Sequence, residues 1–131
     1  MISIVARWSL IEATRAQAIE ALAELARRVE REEAFVPMYT IHVPDFSIAS
    51  YPTPAPTDVV FFSVFDDRAA FEAHLHGPVF SGWLAEFGHL FLFNGDSLFV
   101  VSELLSRTAG FVRQSMVTHD GSGAPASTPT A

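Results

Sequence analysis

The sequence predicts an α+β fold, a four-stranded antiparallel sheet in split β-α-β order with its helices on one face. Three observations predict it. Apolar, β-branched runs at residues 2–8, 36–43, 58–65 and 98–105 read as strands, the intervening segments at 14–33 and 67–87 keep helical spacing, and the resulting order is β-α-β, loop, β-α-α-β. That order is the ferredoxin-like arrangement. A chain of 131 residues is long enough for one ordinary core. Helices on one side leave the other sheet face, with Val60, Phe62 and Val64, without a cover, and pairing two sheets in a dimer buries it.

In the first strand Ile2, Ile4, Ala6 and Trp8 alternate with Ser3, Val5 and Arg7. Thr14-Arg15-Ala16-Gln17 has the form of a capping box and opens a helix to about Glu33, with Ile19, Leu22, Leu25, Ala26 and Val29 as its apolar stripe. Val36 to Val43 returns to strand composition and puts Tyr39, Ile41 and Val43 on one face. Pro44, Pro52, Pro54 and Pro56 then forbid regular structure, and Phe46, Ile48 and Tyr51 read as apolar anchors of a lid or edge extension. Asp58 to Phe65 is apolar on both faces except Ser63, the pattern of a strand covered on both sides. Asp66 or Asp67 caps a short helix carrying Ala70, Phe71, His74 and Leu75, and Gly77-Pro78 starts another with Phe80, Trp83, Leu84 and Phe87 inward. Asn94-Gly95-Asp96 is a turn before the last strand at 98–105. The reading is one domain at 1–106 and a C-terminal extension at 107–131, disordered from about His119 because it lacks apolar bulk.

Charge and composition exclude several function classes. With 8 Lys+Arg against 15 Asp+Glu the formal net charge is −7, and the one basic cluster, Arg27, Arg28 and Arg31, alternates with glutamates. This disfavours a nucleic-acid surface and fits a solvated helix face. There is no cysteine, hence no disulfide and no thiolate site. The N-terminus lacks the pattern of a secretory signal, and no apolar run approaches a membrane span, so a cytoplasmic location without membrane contact is expected. Twelve Phe in so short a chain exceed the needs of a small core, which points to a pocket or a partner subunit.

No nucleotide cradle or nucleophile elbow is present, and the five histidines show no metal-ligand spacing, so no metal is expected. Glu30, Glu32 and Glu33 read as a solvated helix end. His74 lies three residues after Phe71 on the buried side of its helix. It is either a satisfied core histidine, the commoner case, or a general base beside an apolar pocket. Arg7 either pairs with a carboxylate or stabilises an anionic substrate. Phe61, Phe65, Phe71, Phe80 and Trp83 are core residues taken singly and pocket wall taken together.

The segment Phe65-Asp66-Asp67-Arg68-Ala69-Ala70-Phe71-Glu72-Ala73-His74-Leu75-His76-Gly77-Pro78-Val79-Phe80 resembles the antibiotic biosynthesis monooxygenase family, with a strand, an acidic cap, a helix ending in Ala-His and a Pro-initiated second helix. Glu33, six residues before Tyr39, also resembles that family's Glu-Pro-Gly-Cys-x-x-Tyr turn, with Ala34-Phe35-Val36 in place of Pro-Gly-Cys. The resemblance spans residues 2–105 in element order and implies a homodimeric α+β barrel. It further implies oxygenation of quinols or polyketide anthrones by O₂ without metal or flavin. His74 would then be the base, Arg7 a second catalytic group, and Tyr39, Phe61, Phe65, Phe71, Phe80 and Trp83 the contacts of a small apolar aromatic substrate.

This chain departs from the family's better-understood branches. The anthrone oxygenases' Asn, Trp and Tyr fall at Phe61, Phe65 and Phe71, and the haem degraders' Asn, Trp and His fall at Arg7, His74 and Leu84. Where quinol oxidisers often place a histidine after the proline, this chain has Val79. Three functions are implied, in this order: a cofactor-independent monooxygenase, a non-catalytic dimeric binding module for a small apolar ligand, and haem binding or degradation.

Overall fold

The central strand β1 (Ile2–Leu10) pairs antiparallel with β3 (Asp58–Phe65) on one side and with β4 (Phe91–Leu92) and β5 (Val101–Leu105) on the other, while β2 (Met38–His42) completes the far edge beside β3. This computed structural model describes residues 1–116. The expected disorder from His119 lies outside them. The alternation read in the sequence sets β1's two faces: Ile4, Ala6, Trp8 and Leu10 are buried beneath the helices, and Arg7 points away.

Helix α1 (Arg15–Glu32) begins after a single 3₁₀ turn at Glu12–Thr14. Thr14 is its N-cap residue, but its hydroxyl donates to the Ile11 carbonyl at 3.4 Å, so the expected capping box is not made. The buried stripe is Ala18, Ala21, Leu22, Leu25, Ala26 and Val29, and Ile19 is left 39 % exposed. The small residues Ala18 and Ala21 are buried, and Trp83 donates its indole N–H to the Ala21 carbonyl at 2.7 Å. Helix α3 (Pro78–Phe87) packs against α1, and α2 (Arg68–His76) packs against α3 and β3. Asp67 supplies the α2 cap, its carboxylate accepting from the Ala70 amide at 2.8 Å.

Further expectations change. The last strand is shorter than expected, β5 starting at Val101, and a two-residue strand β4 at Phe91–Leu92 is added before the turn; between them the chain loops out through Asn94–Ser97, with Gly95 at φ 65°, before the Val100 amide rejoins β1. The side chains of Phe46, Ile48 and Tyr51 in the proline-rich loop are exposed rather than anchored.

The outer face of the sheet carries Leu105, Ser3, Val64 and Met38 in one cross-strand row and Glu103, Val5, Phe62 and Thr40 in the next. Phe62 is 43 % exposed on it, so β3 is not covered on both sides within one chain. Between sheet and helices the aromatic rings are packed against one another: Trp8 lies 4.4 Å from Phe61, 5.6 Å from Trp83 and 5.6 Å from Phe91, centroid to centroid.

Candidate functional site

The end of α1 and the end of α2 meet beneath the sheet. Glu33 is the C-cap residue of α1: its amide still donates to the Val29 carbonyl at 2.9 Å, while its own carbonyl accepts from Val36 at 3.0 Å. This turn takes the chain inward, and Phe35 and Val36 pack on the core. The Phe35 carbonyl also accepts from the Asp66 amide at 3.2 Å, which fixes the turn against the end of β3. The Glu33 side chain is thereby carried below the surface.

His74 arrives from the other side, in the last turn of α2, where the Asp67 cap and the spacing from Ala70 turn it inward. Its Nδ1 lies 2.6 Å from Glu33 Oε1, with the two side chains only 6 % and 4 % exposed. The donor in this short contact follows from the tautomer: an ionised carboxylate can only accept, and it does so from a protonated Nδ1. The junction to α3 must pass close by. A Cβ at Gly77 would collide with the Ala73 carbonyl oxygen and stand 3.8 Å from Glu33 Oε2, so only glycine fits the crossing without a backbone shift.

Around the imidazole stand Tyr39 at 5.3 Å, Phe65 at 5.2 Å and Phe80 at 5.9 Å, centroid to centroid. Phe61 contacts Tyr39, and the partly buried Phe71 contacts Phe65. Trp83 touches Phe80 and belongs to the Trp8 cluster one layer further along the sheet. The expected wall residues thus sit together on the inner face, in ring-to-ring contact. Burial, and secondarily the Glu33 charge, push the Tyr39 phenol well above its ordinary range. It therefore remains a neutral O–H donor beside the histidine.

Arg7 is not among them. It projects from the opposite sheet face, 44 % exposed, with its guanidinium 3.4 Å from Asp58. Of the two readings of Arg7, the structure places it in the carboxylate pair. Sequence reasoning gives Glu33 no part in the site: it stands in the turn that resembles the family's, but its side chain is grouped with its solvated neighbours Glu30 and Glu32. The signal lay in the adjoining tripeptide: Ala34-Phe35-Val36 is apolar, so the helix ends by diving under the sheet.

Elsewhere, a shallow groove of about 870 Å³ runs between α1 and α3, lined in part by Glu20, Glu24, Arg27, Arg28 and Glu86. Its arginines are committed to its own carboxylates, with Arg28 bridging Glu24 and Glu86 at 3.0 and 2.9 Å. Among the described residues no group of three or more His, Asp and Glu side chains is placed to hold a metal ion, and no helix is long and apolar enough to cross a membrane.

Fold and site together define a ferredoxin-like α+β domain with a buried histidine–carboxylate pair in an aromatic layer. The chain belongs to the antibiotic biosynthesis monooxygenase family, whose model matches residues 1–86. No curated protein matches it. Among solved structures it resembles an antibiotic biosynthesis monooxygenase at 17 % identity, covering 83 % of this chain and all of that one with a TM-score of 0.63. HapK from Hahella chejuensis is similar at 21 % identity over 86 % of this chain and 99 % of its own, TM-score 0.61. Rv0793 from Mycobacterium tuberculosis is similar at 18 % identity over 83 % and 96 %, TM-score 0.60. These likenesses show the fold.

The raised Tyr39 pKa carries a stability consequence. The folded state holds the phenolic proton more tightly than the unfolded chain does, so stability is full below the ordinary tyrosine value of 10.0 and is lost as pH rises above it. The chain has no lysine and no cysteine, and its other tyrosine, Tyr51, is fully exposed, which leaves this window uncrowded. Denaturant titrations at rising alkaline pH should show stability falling in the wild-type protein and a much shallower fall in Tyr39→Phe.

Proposed function

We propose that this protein is a cofactor-independent monooxygenase that oxidises a hydrophobic aromatic quinol or anthrone-like substrate with O₂, acting in the cytoplasm as a homodimer. The observation that carries the reading is the buried Glu33–His74 bond set among Tyr39, Phe65 and Phe80. Family membership supports the oxygenase class. With Nδ1 committed to Glu33, Nε2 is the nitrogen that takes a proton from a phenol or from the methylene of an anthrone. The resulting carbanion or phenolate transfers one electron to O₂, and the radical and superoxide recombine at carbon with a proton to give a hydroperoxide. For a methylene carbon, loss of water from that hydroperoxide leaves the ketone, so one O₂ yields one carbonyl and one water. Tyr39 as a neutral donor stabilises the developing oxyanion, and the rings of Phe61, Phe65, Phe71, Phe80 and Trp83 keep bulk water from the radical pair.

The homodimer reading rests on the outer sheet face. Phe62, Val101 and Leu105 lie exposed there, and a second sheet laid on this face covers them.

Oxygen uptake by metal-stripped protein against a panel of quinols and anthrones tests the chemistry. Uptake giving a quinone or hydroxylated product is expected, with a loss of at least about 100-fold in His74→Gln. Absence of uptake, with ligand bound and released unchanged, would instead favour a binding module. Sedimentation tests the assembly: wild-type protein should run as a dimer and Phe62→Glu as a folded monomer.

A further inference from the structure

We propose that Glu33 is the positioning residue of this site and selects the charge of its ligand, holding His74 with Nε2 free and admitting uncharged weak acids while rejecting anions. The proposal rests on the reading of the aromatic surroundings of His74 as the substrate site and deepens it.

Two observations carry it. The first is the 2.6 Å bond between Glu33 Oε1 and His74 Nδ1, made between side chains on two different helices and almost wholly removed from water. A neutral imidazole has one N–H, and an adjacent carboxylate fixes it on the near nitrogen. The far nitrogen, Nε2, is then a lone pair ready to accept a proton. The second is that no cation balances the carboxylate. The chain contains no lysine; Arg7, Arg15, Arg27, Arg28, Arg31 and Arg68 are each engaged in ion pairs with other carboxylates, and Arg107 and Arg113 lie exposed beyond β5, Arg113 over the Phe111 ring. Among the described residues the only ion-pair partner of Glu33 is His74. Tyr39, the other titratable group against the imidazole, is a neutral phenol that adds no positive charge.

An anionic ligand entering here would meet an unscreened negative charge in a medium of low dielectric constant and would find no arginine to receive it. An uncharged phenol or carbon acid avoids that repulsion and acquires its charge only as its proton moves to Nε2. The imidazolium so formed is the cation that Glu33 stabilises. Glu33 therefore acts through His74 and touches no reacting atom.

The test uses two readouts that need no turnover. Nitrogen-15 NMR of the wild-type protein at mildly alkaline pH should show His74 as the Nδ1–H tautomer, and Glu33→Gln, which keeps the shape but removes the charge, should mix the two tautomers. Binding of a naphthol and of the naphthoate with the same rings should favour the naphthol by at least about tenfold in the wild type, and the ratio should collapse toward unity in Glu33→Gln. An Nε2–H tautomer in the wild type overturns the positioning role, and it does so even where the variant does not fold. The absence of any preference for the naphthol, including failure of both to bind, overturns the charge selection, as does a ratio unchanged by Glu33→Gln. If both readouts come out as expected while oxygen uptake is absent, only the oxygenase reading falls.

Discussion

The bond between Glu33 and His74 joins the end of α1 to the end of α2, residues forty-one apart in sequence, at a depth where both side chains are almost wholly removed from solvent. Much of the local architecture converges on it. The turn after α1 carries Glu33 inward and is fastened to β3 through Phe35 and Asp66; the Asp67 cap starts α2 in the phase that turns His74 toward it. Gly77 lets α3 leave without displacing either partner. Taking a carboxylate and an imidazole out of water is costly unless each satisfies the other, and removing one partner leaves the second stranded. The pair is thus a constraint on how the two helices sit as well as a chemical device.

The aromatic residues serve both ends. Trp8, Trp83, Phe91 and Phe61 lock the helices to the sheet by ring contacts, with the Trp83 indole bonded across to α1. Toward His74 the same layer becomes Phe65, Phe80 and Tyr39. A polar pair surrounded by such rings has a low local dielectric constant, which strengthens its bond and sharpens its effect on anything that approaches. The indole N–H of Trp8 is the one buried side-chain polar atom among the described residues without a partner, and it lies in the packed middle of this layer rather than beside the pair.

Strand positions and helix stripes were legible in the sequence because each rests on local periodicity. β3 agrees to the residue, and the inward set Ile4, Ala6 and Trp8 comes from alternation alone. What failed depended on long-range geometry. Ile19 reads as stripe by spacing, yet Ala18 and Ala21 are the buried residues there; the last strand reads as starting at residue 98, yet it starts at Val101 and a short extra strand at Phe91–Leu92 pairs with β1 ahead of it. At the site, His74 was named from helical spacing, the phenylalanines and Trp83 from composition and Tyr39 from the family resemblance, while the Glu33 side chain was absorbed into a charge run. One residue's distance from another forty-one positions away has no signature in local pattern. Arg7 shows the converse, because strand alternation alone puts it on the face opposite Trp8 and so away from the layer that holds His74.

The central claim is that Glu33 and His74 act as one unit. A double-mutant cycle of Glu33→Gln, His74→Gln and the combined variant, read by chemical denaturation, measures that directly. The account predicts a coupling free energy of about 2 kcal/mol or more between the two sites, with the double variant much less destabilised than the sum of the single ones. Additive effects, within about 0.5 kcal/mol, would contradict it.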